Sequence, residues 1–326
     1  MTLKTRTICL AVLICTVAGG PRPAFGQWYG SVDCVAPARF TTHNTVFQWN
    51  ETEVVQSNVP TGDYVVGSTA LLDVDSLDMG FVAAGRATVG RHFGAYGIEG
   101  SYMRSNEWDC AASVFDPSGH MASPFSLTGN PVTPEFDNNY SASVAYQAQL
   151  ESAELHLMSS VAQDYYDADV WLLFGVRWMQ IGESLQFHQQ NATAICDVTT
   201  AADNRLIGPQ CGFNTVSPLP YGFLNLTLKG FVGFNSIREN IDYNGVALSD
   251  NDGSACLMGE AGIAYLVTPA PNIAVRVGYN IMGLSNIALA SGNFEGIPAT
   301  AQSGSVNVRR EGVGYHLPYI GVILMY

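Results

Sequence analysis

Basic side chains are scarce in this sequence. Its 326 residues hold 14 Lys and Arg against 28 Asp and Glu, a net charge of −14, and beyond residue 26 the sole lysine is Lys229. A chain so poor in cations cannot coat itself with the basic surface that phosphates require, which excludes nucleic acid as a partner. Long apolar runs are missing too. After Gly26 no stretch of 18 apolar residues occurs, the longest being VWLLFGV at 170–176 and IGVILMY at 320–326, so there is no membrane-spanning helix. Past residue 26 the cysteines are Cys34, Cys110, Cys196, Cys211 and Cys256; an odd count at irregular spacing fits neither a zinc pattern nor a dense disulfide framework. Cys196 and Cys211 are one candidate pair for closing a loop. Catalytic signatures are also absent: no G-x-S-x-G, no H-E-x-x-H, no P-loop and no G-x-G-x-x-G. No enzyme activity, catalytic residue, cofactor or metal site is therefore expected.

What is present begins with the first residues. Lys4 and Arg6 precede the apolar run from Ile8 to Val17, and Ala24-Phe25-Gly26 offers small residues at the two positions a signal peptidase reads. Residues 1–26 read as a signal peptide, with the mature chain 27–326 carrying 11 bases against 28 acids. Such an acidic exterior can hold divalent cations or simply keep the chain soluble. The acidic stretches DNDG at 250–253 and DVDSLD at 73–78 are the places where divalent cations could bind, although the ligand spacing of the twelve-residue calcium loop is missing.

The mature sequence has a two-residue period. In NIAVRVGYNI (272–281), Ile273, Val275, Val277, Tyr279 and Ile281 alternate with small or polar residues and Arg276. The same alternation recurs in FVAAGRATVGR (81–91), YGIEGSYMR (96–104), QLESAELHLM (149–158), VWLLFGVRWM (170–179), FLNLTLKGFVGFNS (223–236) and LMGEAGIAYLV (257–267). QWYGSVDCV (27–35), a weaker NRLIGPQCGF (204–213) interrupted by Pro209, and the closing GYHLPYIGVILMY bring the set to about ten strands. Tight connections fall at 92–95, 162–168, 217–220 and 268–271. Long ones fall at 40–78, 107–147, 183–203, 239–253 and 285–311. Short turns on one rim and long extracellular loops on the other describe an all-β, closed antiparallel up-and-down transmembrane barrel of 8–12 strands, whose apolar face meets outer-membrane lipid. A terminal aromatic, Tyr326, fits that class. A soluble sandwich or ligand-binding barrel would need an apolar interior and a more charged exterior.

With apolar positions facing lipid, Arg86, Glu99, Glu154, Arg177, Lys229, Glu260 and Arg276 all point inward. Residues equidistant from a hairpin turn lie opposite each other, which pairs Arg86 with Glu99, Glu154 with Arg177, Lys229 with Glu260 and Glu260 with Arg276. Buried charges persist when paired, so the seven are expected to form an ionic ladder filling a narrow lumen, ten strands lying near the filled end of barrel sizes. The alternative is a pore lining that sets ion selectivity. Glu154 and His156 share the inward face as a conceivable acid/base pair, a structural histidine being the simpler reading, and Asp109 and Asp116 are isolated loop acids.

The segments FVAAGRATVGRHF, YGIEGSYM, QLESAELHLM, LLFGVRWMQIGESLQ and NRLIGPQCGF together resemble the planctomycete beta barrel porin family 7. The most specific matches are G-R-A-T-V-G at 85–90, the acid Glu154, and G-V-R-W at 175–178 followed by Glu183. The resemblance implies an outer-membrane barrel and brings no substrate or catalytic residue. It departs at the start: family members open with an acid followed by a Leu and Trp run, whereas Asp33 is followed by Cys34, Val35, Ala36 and Pro37. Two functions are expected from these observations: a narrow porin or diffusion channel for small solutes, or a non-conducting structural barrel whose long acidic loops near 40–78 and 107–147 meet other surface components.

Overall fold

A computed structural model describes residues 27–41, 79–122, 138–162, 168–294 and 308–326, with short pieces between 46 and 77. The segment read as a signal peptide, the body of the 162–168 turn, and parts of the 40–78, 107–147 and 285–311 connections and of DVDSLD lie outside the described residues.

The strands in chain order are β1 (Trp28–Val35), β2 (Ala38–Thr41), β3 (Val46–Asn50), β4 (Val54–Val55), β5 (Tyr64–Val65), β6 (Ala70–Asp73), β7 (Ala84–Phe93), β8 (Tyr96–Ser105), β9 (Trp108–Phe115) and β10 (Met121–Ala122). They continue with β11 (Ser141–Ala162), β12 (Asp169–Gln190), β13 (Ile195–Leu219), β14 (Gly222–Tyr243), β15 (Val246–Ala270), β16 (Ile273–Ala288) and, after the short helix α1 (Ala290–Phe294), β17 (Arg310–Met325). Strands β1, β7, β8, β11, β12, β13, β14, β15, β16 and β17 pair antiparallel in that order, and β17 closes on β1 from Tyr29↔Met325 to Val35↔Tyr319. Two ring positions are composite. Beyond Pro37, β2 extends β1 along β17, and β9 extends β8 along β11. The molecule is thus a closed antiparallel barrel of ten strand positions, as the alternating segments indicate.

Strand length is where the chain departs from its expected layout. The stretches 183–203 and 239–253, expected as long loops, are the continuations of paired strands: β12 and β13 run 22 and 25 residues and turn at 191–194, while β14 and β15 turn at Asn244-Gly245. Both turn residues have positive φ (48° and 84°), the geometry a two-residue hairpin turn needs and Asn-Gly supplies. The periodicity is unbroken through these regions, but its polarity reverses. On β14 the outward residues Leu226, Leu228, Val232 and Phe234 give way to Ser236, Arg238, Asn240 and Asp242, while the inward side changes from Asn225, Thr227 and Lys229 to Ile237 and Ile241. On β12 the outward series passes from Phe174, Val176 and Trp178 to Gln180, Ser184 and Gln186. From Leu224 to Phe234 the apolar outward run spans ~25 Å of depth at the usual rise and tilt, the height of a membrane belt. The rest of each long strand stands in water.

The barrel therefore has a belt half, next to the short turns, and a loop half beyond the belt. The loop half is filled by apolar side chains, among them Met179, Ile181, Leu185 and Phe187 of β12, together with segments that fold into it from above. Phe47 of β3 and Phe294 of α1 are fully buried, their ring centroids 5.1 Å apart, and each also packs against Phe187.

Three local expectations are corrected by this geometry. Pro209 sits within the long paired strand β13 rather than interrupting a short, weak one at 204–213; the ladder to β14 skips Gly208 and Pro209 and resumes in the same register at Gln210. Cys196 and Cys211 are an odd number of residues apart on one strand, so Cys196 is buried inside, Cys211 is exposed outside, and the two do not pair with each other. DNDG at 250–253 lies on β15, not in a loop.

Candidate functional site: an ion-paired lumen

Alternation along the belt half turns every one of Arg86, Glu99, Glu154, Arg177, Lys229, Glu260 and Arg276 toward the lumen. Glu154 and Arg177 are register partners on β11 and β12, and Lys229 and Glu260 on β14 and β15. Their side chains go further than their own strands. Arg177 sets Nη2 at 3.2 Å from Glu154 Oε1 and reaches over the intervening β13 and β14 to place Nη1 at 2.7 Å from Glu260 Oε2. Lys229 Nζ lies 2.7 Å from Glu154 Oε2. The remaining valences are satisfied by neutral groups: Asn280 Nδ2 donates to Glu260 Oε1 at 2.8 Å, Gln210 Nε2 to Glu154 Oε2 at 2.9 Å, and Arg177 Nε to Ser152 Oγ at 3.1 Å. Full pairing with supplementary hydrogen bonds is the condition under which buried charges can be retained.

A second cluster is centred on a residue the sequence reading left out. Asp33 of β1, fully buried, takes a two-pronged contact from Arg276 (Nε to Oδ1 at 2.8 Å, Nη2 to Oδ2 at 2.7 Å) and one from Arg86 Nε at 2.8 Å. The ring of Tyr319 lies beside both guanidiniums, at 4.3 Å from Arg86 and 5.6 Å from Arg276. Gly321 provides the space, since a Cβ there would run into Asp33 Oδ1. Two expected pairs are thereby corrected. Arg276 is opposite Leu266, not Glu260, because β15 runs on to Ala270 and the turn to β16 falls at 271–272, beyond the midpoint of Glu260 and Arg276. Arg86 is opposite Met103, and Glu99 is opposite Gly90, because the β7–β8 turn falls at 94–95.

Glu99 instead accepts a hydrogen bond from Tyr29 Oη at 2.6 Å and faces His156 Nδ1 at 4.0 Å. His156 is buried against Gln210, with Nε2 at 3.4 Å from Glu154 Oε2, so it links the Glu99 side of the lumen to the four-residue network. One signal could have found Asp33. The seven expected charges comprise four bases and three acids, and a buried set of that kind calls for a fourth acid on an inward position. Ser31, Asp33 and Val35 share the inward phase of β1.

The loop half holds its own buried pair. Arg39 Nη2 of β2 lies 2.9 Å from Glu183 Oε1, Arg39 also donates to Tyr146, and Glu183 Oε2 accepts the backbone N–H of Ala290 at 2.9 Å. Burial pushes the Glu183 carboxyl up from its ordinary range, with the Arg39 guanidinium opposing the shift. This pair ties the strand extension β2 and the helix α1 to the wall. Among the described residues, no group of three or more His, Cys, Asp or Glu could hold a metal ion. Asp116 caps its own turn, accepting from the backbone and hydroxyl of Ser118, and Asp109 faces outward on β9.

No family model and no curated protein matches the sequence. The fold is found among solved structures. An outer-membrane protease from Escherichia coli superposes with a TM-score of 0.56 at 9% identity, over 93% of this chain and 97% of that one. The attachment invasion locus protein of Yersinia pestis and the translocator domain of an autotransporter from Neisseria meningitidis match with TM-scores of 0.30 and 0.35 at 8% and 10% identity, each over 93% of this chain and over 99% and 89% of their own. The fold is that of outer-membrane β-barrels. The expectation that the chain is not an enzyme does not stand: it rested on missing motifs, and a protein of this same fold is a protease. At 9% identity the likeness assigns no catalytic role to any residue here.

Proposed function

We propose that this chain is an exported, non-conducting outer-membrane barrel that carries a rigid, water-exposed loop half as a surface for partners. The observation that supports this most strongly is the Arg177–Glu260 contact, which joins β12 to β15 inside the belt at 2.7 Å and is held at both ends by further bonds. Parting it to pass a solute would leave charges without partners in a low-dielectric lumen. The apolar filling of the loop half stands in line with it, so a solute would meet two obstacles in series. The narrow-porin reading, including membership of the planctomycete porin family 7 in a transport sense, requires both to open. The basic and apolar start of the chain supports residues 1–26 as its export signal. Reconstitution of the purified protein into planar bilayers tests the proposal: silence is expected, and a steady channel of defined conductance contradicts it.

A further inference from the structure

Glu239 points inward from β14, five residues beyond Phe234, the last outward apolar residue of that strand, so it lies outside the membrane belt. Its residue is completely buried, yet neither carboxylate oxygen has a hydrogen-bond partner among the described residues. Its cross-strand neighbours are Ala202 on β13 and a second acid, Asp250, on β15. From α1, the amide nitrogen of Asn293 faces it without completing a hydrogen bond, while Asn293 Oδ1 accepts the backbone N–H of Arg309 at 2.8 Å.

The other charged groups nearby do not compensate it. Arg238, its chain neighbour, points outward; Arg310 is paired with Asp252; and Glu311 lies against Gly292 of α1. Elsewhere in the lumen every acid described above meets a base or a set of donors. Here two acids share one level of the wall beneath a helix. Burial first, and then the Asp250 carboxylate, push the Glu239 carboxyl up to about 7.

We infer that Glu239 is a proton-operated latch for the α1 cap. Protonated, it is neutral and has a hydrogen to donate to Asp250, and α1 seats on it with Phe294 inserted between Phe47 and Phe187. Ionised, it sets two like charges under the cap, with neither Arg238 nor Arg310 placed to answer them, and α1 loosens. The sign follows from linkage: a carboxyl that titrates higher when covered holds its proton more tightly in the closed state, so protons favour closure. The stabilisation is complete below about pH 4.5, declines as pH rises toward about 7 and is gone above it. The latch does not depend on whether the lumen conducts.

Hydrogen exchange of the α1 amides in the full chain, held in lipid nanodiscs and corrected for intrinsic exchange rates, tests this. The opening constant of α1 is expected to rise on the order of a hundredfold between about pH 4.5 and about pH 7.5 if opening fully exposes Glu239. Glu239→Gln should flatten that rise, and Asp250→Asn should move its midpoint to lower pH. Protection that is independent of pH in the unaltered protein overturns the latch, as does a Glu239→Gln variant with an unchanged pH dependence. Protection set by added calcium at fixed pH, and lost in Glu239→Gln, would assign the two acids to a cation and also overturn it.

Discussion

The belt half and the loop half are made of the same strands, yet they are built inside out with respect to each other. In the belt, hydrocarbon lies outside, so Leu226, Leu228, Val232 and Phe234 face out and the lumen is left to Arg177, Glu154, Lys229 and Glu260. In the loop half, water lies outside, so Arg238 and Asp242 face out and Ile181, Leu185 and Phe187 fill the lumen. Backbone pairing runs unbroken from one half to the other on β14 and β15. The lesson is that the hydrophobic phase of a strand reports the solvent around it, while hydrogen-bond register alone reports the fold.

The sharpest way to break this comparison is to remove a charge from the belt lumen. Arg177→Met leaves Glu154 with Lys229, Gln210 and His156 but takes from Glu260 its direct ion pair, leaving it Asn280 and its register neighbour Lys229, and should cost about 3–5 kcal/mol in reversible urea unfolding; adding Glu260→Gln to it should recover part of that loss. Next comes the loop half, where Leu185→Ala removes a fully buried apolar side chain and should cost about 2–5 kcal/mol by the same measurement. The outer faces distinguish the halves more finely. Leu228→Arg sets a cation near the middle of the belt and should cost about 2–4 kcal/mol, whereas Asn240→Arg, further along the same face of the same strand, should stay within about 0.5 kcal/mol. Equal costs at the two positions would erase the boundary between the halves.

How much of this was legible in the sequence follows the same division. The belt segments announce themselves, because lipid-facing apolar residues alternate with inward polar ones, and ten such segments suffice to give the ring. The registers Glu154↔Arg177 and Lys229↔Glu260 follow from the midpoints of their connections and are those in the barrel. The stretches 183–203 and 239–253 look like loops because polar residues dominate the outward phase there, as in any water-facing strand; the inward Leu185, Phe187, Ile237 and Ile241 were the overlooked signal. The partner of Arg276 was not legible. Local periodicity does not fix whether the turn after β15 centres on 268 or falls at 271–272, where it is, and Asp33 lies 243 residues away in the chain, across the seam where the barrel closes. Side-chain reach across a lumen, as from Arg177 to Glu260, is likewise a property of closure rather than of any one hairpin.

The division into two halves is tested most directly by a nitroxide walked along the outward positions of β14 in nanodiscs, in a cysteine-free background. Labels at Leu226, Leu228, Val232 and Phe234 are expected to be more accessible to oxygen than to a polar nickel reagent, with the preference reversing at Ser236 and staying reversed at Asn240 and Asp242. Lipid contact that continues to Asn240, or water contact along the whole strand, would contradict it.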